Sequence, residues 1–393
     1  MQNDISAITK LMRYWILTSS TAAGSGHPTS SLSGVELMAT LFFDGFFCYD
    51  IKNPENPNND RLIFSKGHAS PLFYSLWAAI AGSGISEAEL KTFRRFTSRL
   101  EGHPTLKLPY TEAATGSLGQ GLSVGVGMAL NAKYDKLDYK TYVLLGDSEM
   151  AEGSNWEAMQ VAAYYQLNNL IGIIDVNRLG QRGETMPGHD VKDFEAKAKA
   201  FGWEAVVVDG HNLKQISKAF TKTLKVKNKP VMIIAKTLKG KGVSFLENKD
   251  GWHGKALAED DWHKAVEELG EVDRTIRGEL TIPNVKLKIS NQIPITNVKM
   301  TSYAKESLVA TRQAYGNAIA ELARQNKQVV VLDAEVSNST FAETVKEKTP
   351  KQFFEMFIAE QNMVGAARQN SFCFNLRRLF HPRGGPDSHE PIL

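Results

Sequence analysis

Cysteine is scarce in this sequence, and neither sign of charge dominates it. Among its 393 residues the only cysteines are Cys48 and Cys373, which lie far apart and without metal-ligand spacing. This scarcity argues against a disulfide framework or a zinc site and predicts a reducing, cytoplasmic setting. The formal net charge is only +3, so neither nucleic acid nor an anionic membrane is expected as a partner.

Long apolar runs are absent as well. No run approaches the roughly 20 residues that a membrane helix requires, so no membrane segment is expected. The polar N-terminal segment MQNDISAITK lacks the basic-then-apolar layout of a secretory signal. With 42% hydrophobic and 23% charged residues, the composition is that of an ordinary globular protein, and the length favours two domains.

Short apolar runs and amphipathic segments alternate through the middle of the chain. They predict strands at 142–145, 170–176, 205–208 and 231–235, and helices at 154–167 and 213–224. Strands that alternate with helices indicate a parallel sheet with right-handed crossovers. The expected fold class is therefore α/β, with a doubly wound parallel sheet whose ligands bind beyond the carboxyl ends of the strands.

The start of the chain has a different pattern. We predict a helix from Asp4 to about Ser20 and another from Val35 to about Phe42, because apolar residues recur there at helical spacing. Between them, residues 23–33 are rich in glycine, serine and proline and are predicted to form a loop.

Composition also divides the chain along its length. Residues 1–271 form the predicted first domain, and the polar stretch 272–302, with its two Ile-Pro steps, is predicted to be a linker. A second, partial α/β domain then spans 303–367, with helices predicted at 307–325 and 338–347 around a strand at 329–332. Residues 368–393 show no sustained period, so we expect an aberrant and disordered tail.

Polar side chains follow two of the predicted strands. Gly146-Asp147-Ser148 follows one strand, and Asn177 follows the next, thirty residues after the aspartate. Neighbouring parallel strands would bring the carboxylate and the amide together, and hard oxygen donors of this kind suit Mg²⁺ or Ca²⁺ shared with phosphate oxygens. A strand-end turn with a capping aspartate and an unrelated asparagine explains the same spacing, and both interpretations stay open here.

One segment resembles the thiamine diphosphate signature of transketolases: GDSEMAEGSNWEAMQVA…LIGIIDVNRLGQ. The resemblance extends in order over residues 1–367. The ATGSLGQG, RLGQ and WHGK forms are similar to the animal-type branch. Ser148 departs from the pattern, since the family usually has a second glycine there. The other matching segments are SGHPTSS at 25–31, FSKGHASPLFY at 64–74, EGHP at 101–104, AKTLKGKG at 235–242, ATRQAYG at 310–316, NSTF at 338–341 and AEQNMVGAA at 359–367.

The resemblance implies a thiamine diphosphate-binding fold and the transfer of a two-carbon ketol unit from a ketose phosphate to an aldose phosphate. It implies a homodimer, thiamine diphosphate and a divalent cation: Mg²⁺, Ca²⁺ or Mn²⁺. The implied metal ligands are Asp147, Asn177 and the Leu179 carbonyl. The other implied cofactor contacts are Ser30, Lys66, His68, Gly116, Ser117, Leu118, Gly146, Ser148, Gln181, Lys239, His253 and Glu360.

Most histidines in proteins are structural, and we assign His189, His211 and His263 that role. The four in glycine- or proline-containing loops are different, because each falls in a matching motif. Imidazoles suit a site that moves protons near neutral pH. The resemblance places His68 near the diphosphate, and it implies that three others line the donor-sugar channel and act in catalysis: His27, His103 and His253.

Three residues of the second domain complete the implied site. By resemblance, Arg312 and Ser339 bind the phosphate end of the sugar, although an exposed helical arginine and a helix-capping serine are the ordinary interpretations. Glu360 is implied to hydrogen-bond the aminopyrimidine of the cofactor in the partner subunit. We expect this carboxyl to be buried, with a raised pKa.

Several alternatives remain open. A related thiamine enzyme such as a dihydroxyacetone synthase is one, although a deoxyxylulose phosphate synthase fits WHGK and RLGQ poorly. A non-catalytic cofactor-binding or dimerising remnant and one subunit of a split enzyme are the others. Because full-length transketolases continue well beyond this pattern, we expect an incomplete form with little activity alone.

Overall fold

The computed structural model describes residues 4–283 and 301–367. The chain divides into two compact units, Met1–Leu287 and Lys288–Leu393. The expected tail at 368–393 lies outside the described residues, as does the 284–300 part of the expected linker. Within the described ranges, no helix combines the length and the apolarity that crossing a membrane requires.

A parallel five-stranded sheet with the order β1-β2-β3-β5-β4 forms the centre of the first unit. Its central strands are buried along their whole length, as their continuous apolar sequences predict for a sheet covered by helices on both faces. The α/β fold class is therefore confirmed. The strands are β1 (Arg61–Phe64), β2 (Thr141–Gly146), β3 (Leu170–Val176), β4 (Glu204–Asp209) and β5 (Val231–Lys236).

Helices cover both faces of this sheet. Several begin at a side chain that caps the first turn, for example Asp4 before α1, Asp190 before α8 and Asn212 before α9. The helices are α1 (Ile5–Ala23), α2 (Pro28–Leu32), α3 (Val35–Phe43), α4 (Ser70–Ala78), α5 (Glu87–Leu90), α6 (Gln120–Asp135), α7 (Gly153–Tyr164), α8 (Val191–Ala200), α9 (Leu213–Thr223) and α10 (Glu259–Leu269).

The loop predicted over residues 23–33 was wrong in part, because it contains α2. Pro28 occupies the first turn, where its fixed φ and missing N–H are tolerated. Every residue of α2 is buried, so tertiary packing holds a segment whose composition favours a loop.

The first unit also includes the beginning of the expected linker. The Gly278 N–H donates to the Ala79 carbonyl at 2.8 Å, and the Tyr49 N–H donates to the Thr281 carbonyl at 2.8 Å. Residues up to 281 are thus bonded to the body of the first unit, and the expected boundary at 271 does not coincide with a loss of contacts.

The second unit contains a two-stranded parallel sheet of β6 (Val331–Asp333) and β7 (Phe353–Glu355). The single helix predicted at 338–347 was wrong. Phe341 has a φ of +61°, which interrupts the helical backbone and divides the segment in two. The helices are α11 (Thr311–Gln325), α12 (Ser337–Thr340), α13 (Glu343–Lys348) and α14 (Glu360–Ala367).

Candidate active site in the first unit

Asp147 and Asn177 meet at the carboxyl edge of the sheet, as their positions after adjacent strands imply. Gly146 is paired with Asp175 in the parallel register of β2 and β3. Asp147 Oδ2 accepts the Arg178 N–H at 2.6 Å, which joins the two strand ends. Asn177 Oδ1 accepts the Leu179 N–H at 3.2 Å. Both side chains are buried, so their oxygens are positioned before any ligand arrives.

The chemistry of these donors fits a hard divalent cation. Burial, reinforced by the charge of Asp175, raises the pKa of the Asp147 carboxyl to about 6, so a cation beside it would stabilise its charged form. Residues 4–283 and 301–367 contain no group of three His, Cys, Asp or Glu side chains arranged to hold a metal. A cation here would therefore rely on one carboxylate, one amide, main-chain oxygen and ligand phosphate, a set suited to Mg²⁺.

Lys239 shows that the carbonyls at this edge attract positive charge. Its ammonium donates to the carbonyls of Leu179 at 2.8 Å and Gly180 at 3.0 Å, and to Nδ1 of His253 at 3.0 Å. Burial and the nearby charge of Lys66 lower the pKa of Lys239 to about 8. The Leu179 carbonyl expected to bind the metal thus already faces a cation.

Lys66 has a different environment from the one expected. Its ammonium is buried and forms an ion pair with Asp175 at 2.6 Å, and it donates to the Ser30 carbonyl at 3.0 Å. Asp175 also accepts hydrogen bonds from the hydroxyls of Ser33 and Thr237. Sequence reasoning missed Asp175, although it is the only charged residue in the buried strand β3.

Three histidines form one cluster beside Lys239. The ring centroids of His27 and His68 are 5.1 Å apart, those of His27 and His253 are 4.9 Å apart, and those of His68 and His253 are 5.4 Å apart. Burial, assisted by neighbouring positive groups, lowers the pKa of both His27 and His253 to about 4. The cluster is therefore neutral at physiological pH and can both donate and accept hydrogen bonds.

His103 lies against the glycine-rich loop before α6. A Cβ added to Gly116 would come within 3.2 Å of the His103 ring, and Gly116 has a φ of +141°, so only glycine suits this position. Ser117 and Leu118 are exposed beside it. The structure brings His103 close enough for its charge to lower the pKa of His27, after the larger effect of burial.

Glu149 is a second residue that sequence reasoning missed. Its buried carboxylate accepts the Gly119 N–H at 2.9 Å, the Gly146 N–H at 3.0 Å and the Ser65 hydroxyl. These bonds connect the glycine-rich loop, the end of β2 and the segment after β1. The sequence signal that could have indicated Glu149 was its position, as an acidic residue between the Gly146-Asp147 turn and α7.

Two expected cofactor contacts lie at the rim of this edge. Ser148 is exposed, and its hydroxyl would be 3.3 Å from a Cβ added to Gly180. The serine at this departure from the pattern is therefore accommodated without disturbing β2. Gln181 is exposed on the loop that follows Gly180.

The expected site residues of the second unit are exposed. The Arg312 guanidinium lies 5.6 Å from the centroid of the Phe341 ring, two residues after Ser339. Glu360 is the first residue of α14 and is exposed. The expected burial of this carboxyl against the cofactor of a partner subunit therefore stays a prediction.

Comparison with known families gives two matches. Residues 5–330 match the model described as transketolase, thiamine diphosphate binding domain, and residues 307–370 match transketolase, pyrimidine binding domain. The chain is 43% identical over 380 residues to human transketolase, covering 94% of this chain and 60% of that protein. It is 44% identical over 364 residues to mouse transketolase-like protein 2, covering 92% and 57% respectively.

Solved structures agree on the fold. Transketolase from Campylobacter jejuni superposes with a TM-score of 0.83 at 28% identity, covering 95% of this chain and 63% of that one. The chain thus spans about 60% of the length of the relatives that it matches. The animal-type resemblance is confirmed by the human and mouse relatives.

Proposed function

The chain belongs to the transketolase family, and from this premise we propose that it binds thiamine diphosphate with a divalent cation at the carboxyl edge of the first unit. We further propose that it serves the transfer of a two-carbon ketol unit between sugar phosphates. The observation that supports this proposal is a chain of hydrogen bonds at the carboxyl edge of the sheet. The Arg178 N–H donates to Asp147, the Leu179 N–H donates to Asn177, and the Lys239 ammonium donates to the Leu179 carbonyl.

These residues divide the work of holding the cofactor. Asp147 supplies the charge for Mg²⁺, Ca²⁺ or Mn²⁺, while Asn177 and the Leu179 carbonyl supply neutral oxygens. Lys239 and His68 face the diphosphate. Lys66 supports the site indirectly, through its hydrogen bond to the Ser30 carbonyl. The remaining contacts come from short or exposed groups: Gly116, Ser117, Leu118, Gly146, Ser148 and Gln181.

The neutral histidines suit a polyhydroxylated substrate. Because burial lowers the pKa of His27, His253 and His103, each ring keeps one donor and one acceptor nitrogen for sugar hydroxyls. The cofactor, when bound, supplies the nucleophilic carbon for ketol transfer. The protein orients the sugar and holds protons at the imidazole nitrogens.

The second unit contributes recognition and a proton. Arg312 and Ser339 suit the phosphate end of the sugar, since a guanidinium and a hydroxyl both donate to phosphate oxygens. We propose that Glu360 holds the proton that faces the aminopyrimidine ring, and that a homodimer supplies it to the cofactor of the partner subunit. An exposed carboxyl at the start of a helix is available for such a contact.

The test is calorimetric titration of the 393-residue protein with thiamine diphosphate, with and without Mg²⁺. Asp147→Asn keeps the size of the side chain but removes its charge, so Mg²⁺-dependent affinity should fall by more than the roughly 10–100-fold typical of outer-sphere partners. Asp333→Asn is the control, because Asp333 is a buried strand-end aspartate that accepts the Val336 N–H at 2.8 Å in the second unit. Unchanged Mg²⁺-dependent affinity in Asp147→Asn would overturn the assignment.

A further inference from the structure

The turn Leu238–Lys241 connects the end of β5 to the candidate site. It presents Lys239, whose ammonium binds the carbonyls of Leu179 and Gly180. Gly240 within the turn has a φ of +76°, a left-handed conformation that side chains rarely adopt. The position of the Lys239 ammonium therefore depends on how firmly this turn is held.

One flank of the turn lacks solid packing. A groove of about 460 Å³ opens to solvent there, and Thr237, Leu238 and Lys241 are among the residues that line it. Protein packing contributes little on the side where a segment faces solvent. Hydrogen bonds must then fix the turn on this side.

Three side chains from separate elements, which we name the clamp, supply such bonds at both ends of the turn. The clamp consists of Arg13 on α1, Glu36 on α3 and His211 after β4. The Leu238 N–H donates to His211 Nε2 at 2.8 Å. At the other end, Arg13 Nε donates to the Lys241 carbonyl at 3.1 Å.

Glu36 joins the two ends of the clamp. Its Oε1 accepts from Arg13 Nη2 at 2.5 Å, and its Oε2 lies 3.1 Å from His211 Nδ1. Because His211 Nε2 accepts a backbone N–H, the ring proton belongs on Nδ1, where it donates to Glu36. All three side chains are largely buried, so losing one of these bonds should cost more than losing an exposed one.

The close approach of Arg13 to the backbone at Gly242 also indicates that this side chain holds the turn. A Cβ added to Gly242, whose φ is +93°, would come within 2.7 Å of Arg13 Nε. Glycine at this position lets the arginine approach the backbone directly. The chain after the turn is therefore shaped around Arg13, as well as bonded to it.

We propose that the clamp is a positioning device that holds Lys239 against the Leu179 carbonyl, and that His211 is its decisive member; the link to cofactor binding rests on the proposed function. His211 acts through the Leu238 backbone and does not touch the ligand. Other bonds hold the middle of the turn: Gly240 N–H to the Thr29 carbonyl at 2.9 Å and Asn248 N–H to the Lys239 carbonyl at 2.8 Å. Loss of the clamp should therefore loosen the turn without unfolding it.

The test compares His211→Phe with His211→Gln. The glutamine amide can accept the Leu238 N–H and donate to Glu36, so it should rescue the clamp, whereas phenylalanine can do neither. His263→Phe is the control, because His263 is exposed on α10 and makes no clamp contact. The first measurement is hydrogen–deuterium exchange of the cofactor-free protein over residues 236–242 and 178–185.

His211→Phe should exchange about tenfold faster in both segments, because the Leu238 N–H loses its acceptor and Lys239 then releases the Leu179 loop. Lys239→Met should accelerate exchange over residues 178–185 only. Exchange at the unmodified rate in His211→Phe would overturn the proposal. This measurement needs no cofactor, so it decides the clamp even if thiamine diphosphate binding fails.

The second measurement is the Kd of thiamine diphosphate with Mg²⁺. His211→Phe should weaken it about tenfold, and His211→Gln should stay within about threefold. If His211 acts through Lys239, the double variant with Lys239→Met should bind no more weakly than Lys239→Met alone. Fully additive losses would mean that His211 has only a general structural role.

Discussion

The two units differ in how far they bury the side chains that are expected to function. In the first, Lys66, Asp147 and Lys239 are only 1%, 4% and 3% exposed, and each is already bonded to protein. In the second, Arg312 and Glu360 are exposed. The first unit thus pays desolvation to hold its charges in place before a ligand arrives, which is the condition for strong electrostatic binding.

The contrast extends to the cores. In the first unit the charges lie beside a sheet whose central strands are buried along their whole length, and a large cluster of apolar side chains packs around it. The second unit has a small core built on a two-stranded sheet. A rigid surrounding structure can hold buried ionic groups in fixed positions. Exposed side chains are not fixed in this way, so their role depends on the molecule that binds against them.

The largest expected effect comes from breaking the buried ion pair. Asp175→Ala leaves the Lys66 ammonium buried and uncompensated, so the first unit should lose about 3–5 kcal/mol of unfolding free energy. Denaturant unfolding measures this loss. Glu321→Gln, which breaks the exposed Glu321–Arg324 pair of the second unit, is the control and should have no measurable effect. A loss below about 1 kcal/mol in Asp175→Ala would show that Lys66 finds another partner.

A smaller effect is expected from Glu360→Gln, which should slow proton exchange on the cofactor without preventing cofactor binding. In the protein loaded with thiamine diphosphate and Mg²⁺, Glu360→Gln should slow hydrogen–deuterium exchange at the cofactor C2 by roughly a hundredfold, the lower range for general acid–base groups. NMR of quenched samples measures that rate. Glu347→Gln, another exposed acid of the second unit, should leave it unchanged. An unaltered rate in Glu360→Gln would make this glutamate structural.

The third expected effect is a pH dependence of the stability of the first unit. The pKa of His27 and His253 falls from an ordinary 6.5 to about 4 on folding, chiefly through burial. Between these values the two histidines bind more protons in the unfolded chain than in the folded one, so their contribution to stability falls as pH drops from about 6.5 to 4.

His27→Asn should flatten this dependence, and His263→Asn should not. Residues 301–367 contain no histidine, so this segment offers an internal comparison in unfolding followed by segment-resolved hydrogen exchange. A dependence of equal slope in this segment and in the first unit would contradict a histidine origin.

Sequence patterns predicted four of the five strands of the sheet, because these are short, apolar and separated by helical periods; β1 was not predicted. The bounds of β3 were predicted to the residue, and the meeting of Asp147 with Asn177 follows from the rule that parallel strands end at one edge. The helix α2 was missed because glycine, serine and proline favour loops. Only burial against the rest of the unit overrides that preference.

By itself, then, the sequence determined the fold class, the family and the position of Asp147 and Asn177 at neighbouring strand ends, since all of these depend on local periods and contiguous motifs. The tertiary structure alone decided which charges are paired. Lys66 and Asp175 lie 109 residues apart, Ser65 and Glu149 lie 84 apart, and Arg13 reaches the Lys241 carbonyl across 228. Such contacts leave no local pattern, because ion pairs and hydrogen bonds depend on distances that exist only after the strands and helices have packed.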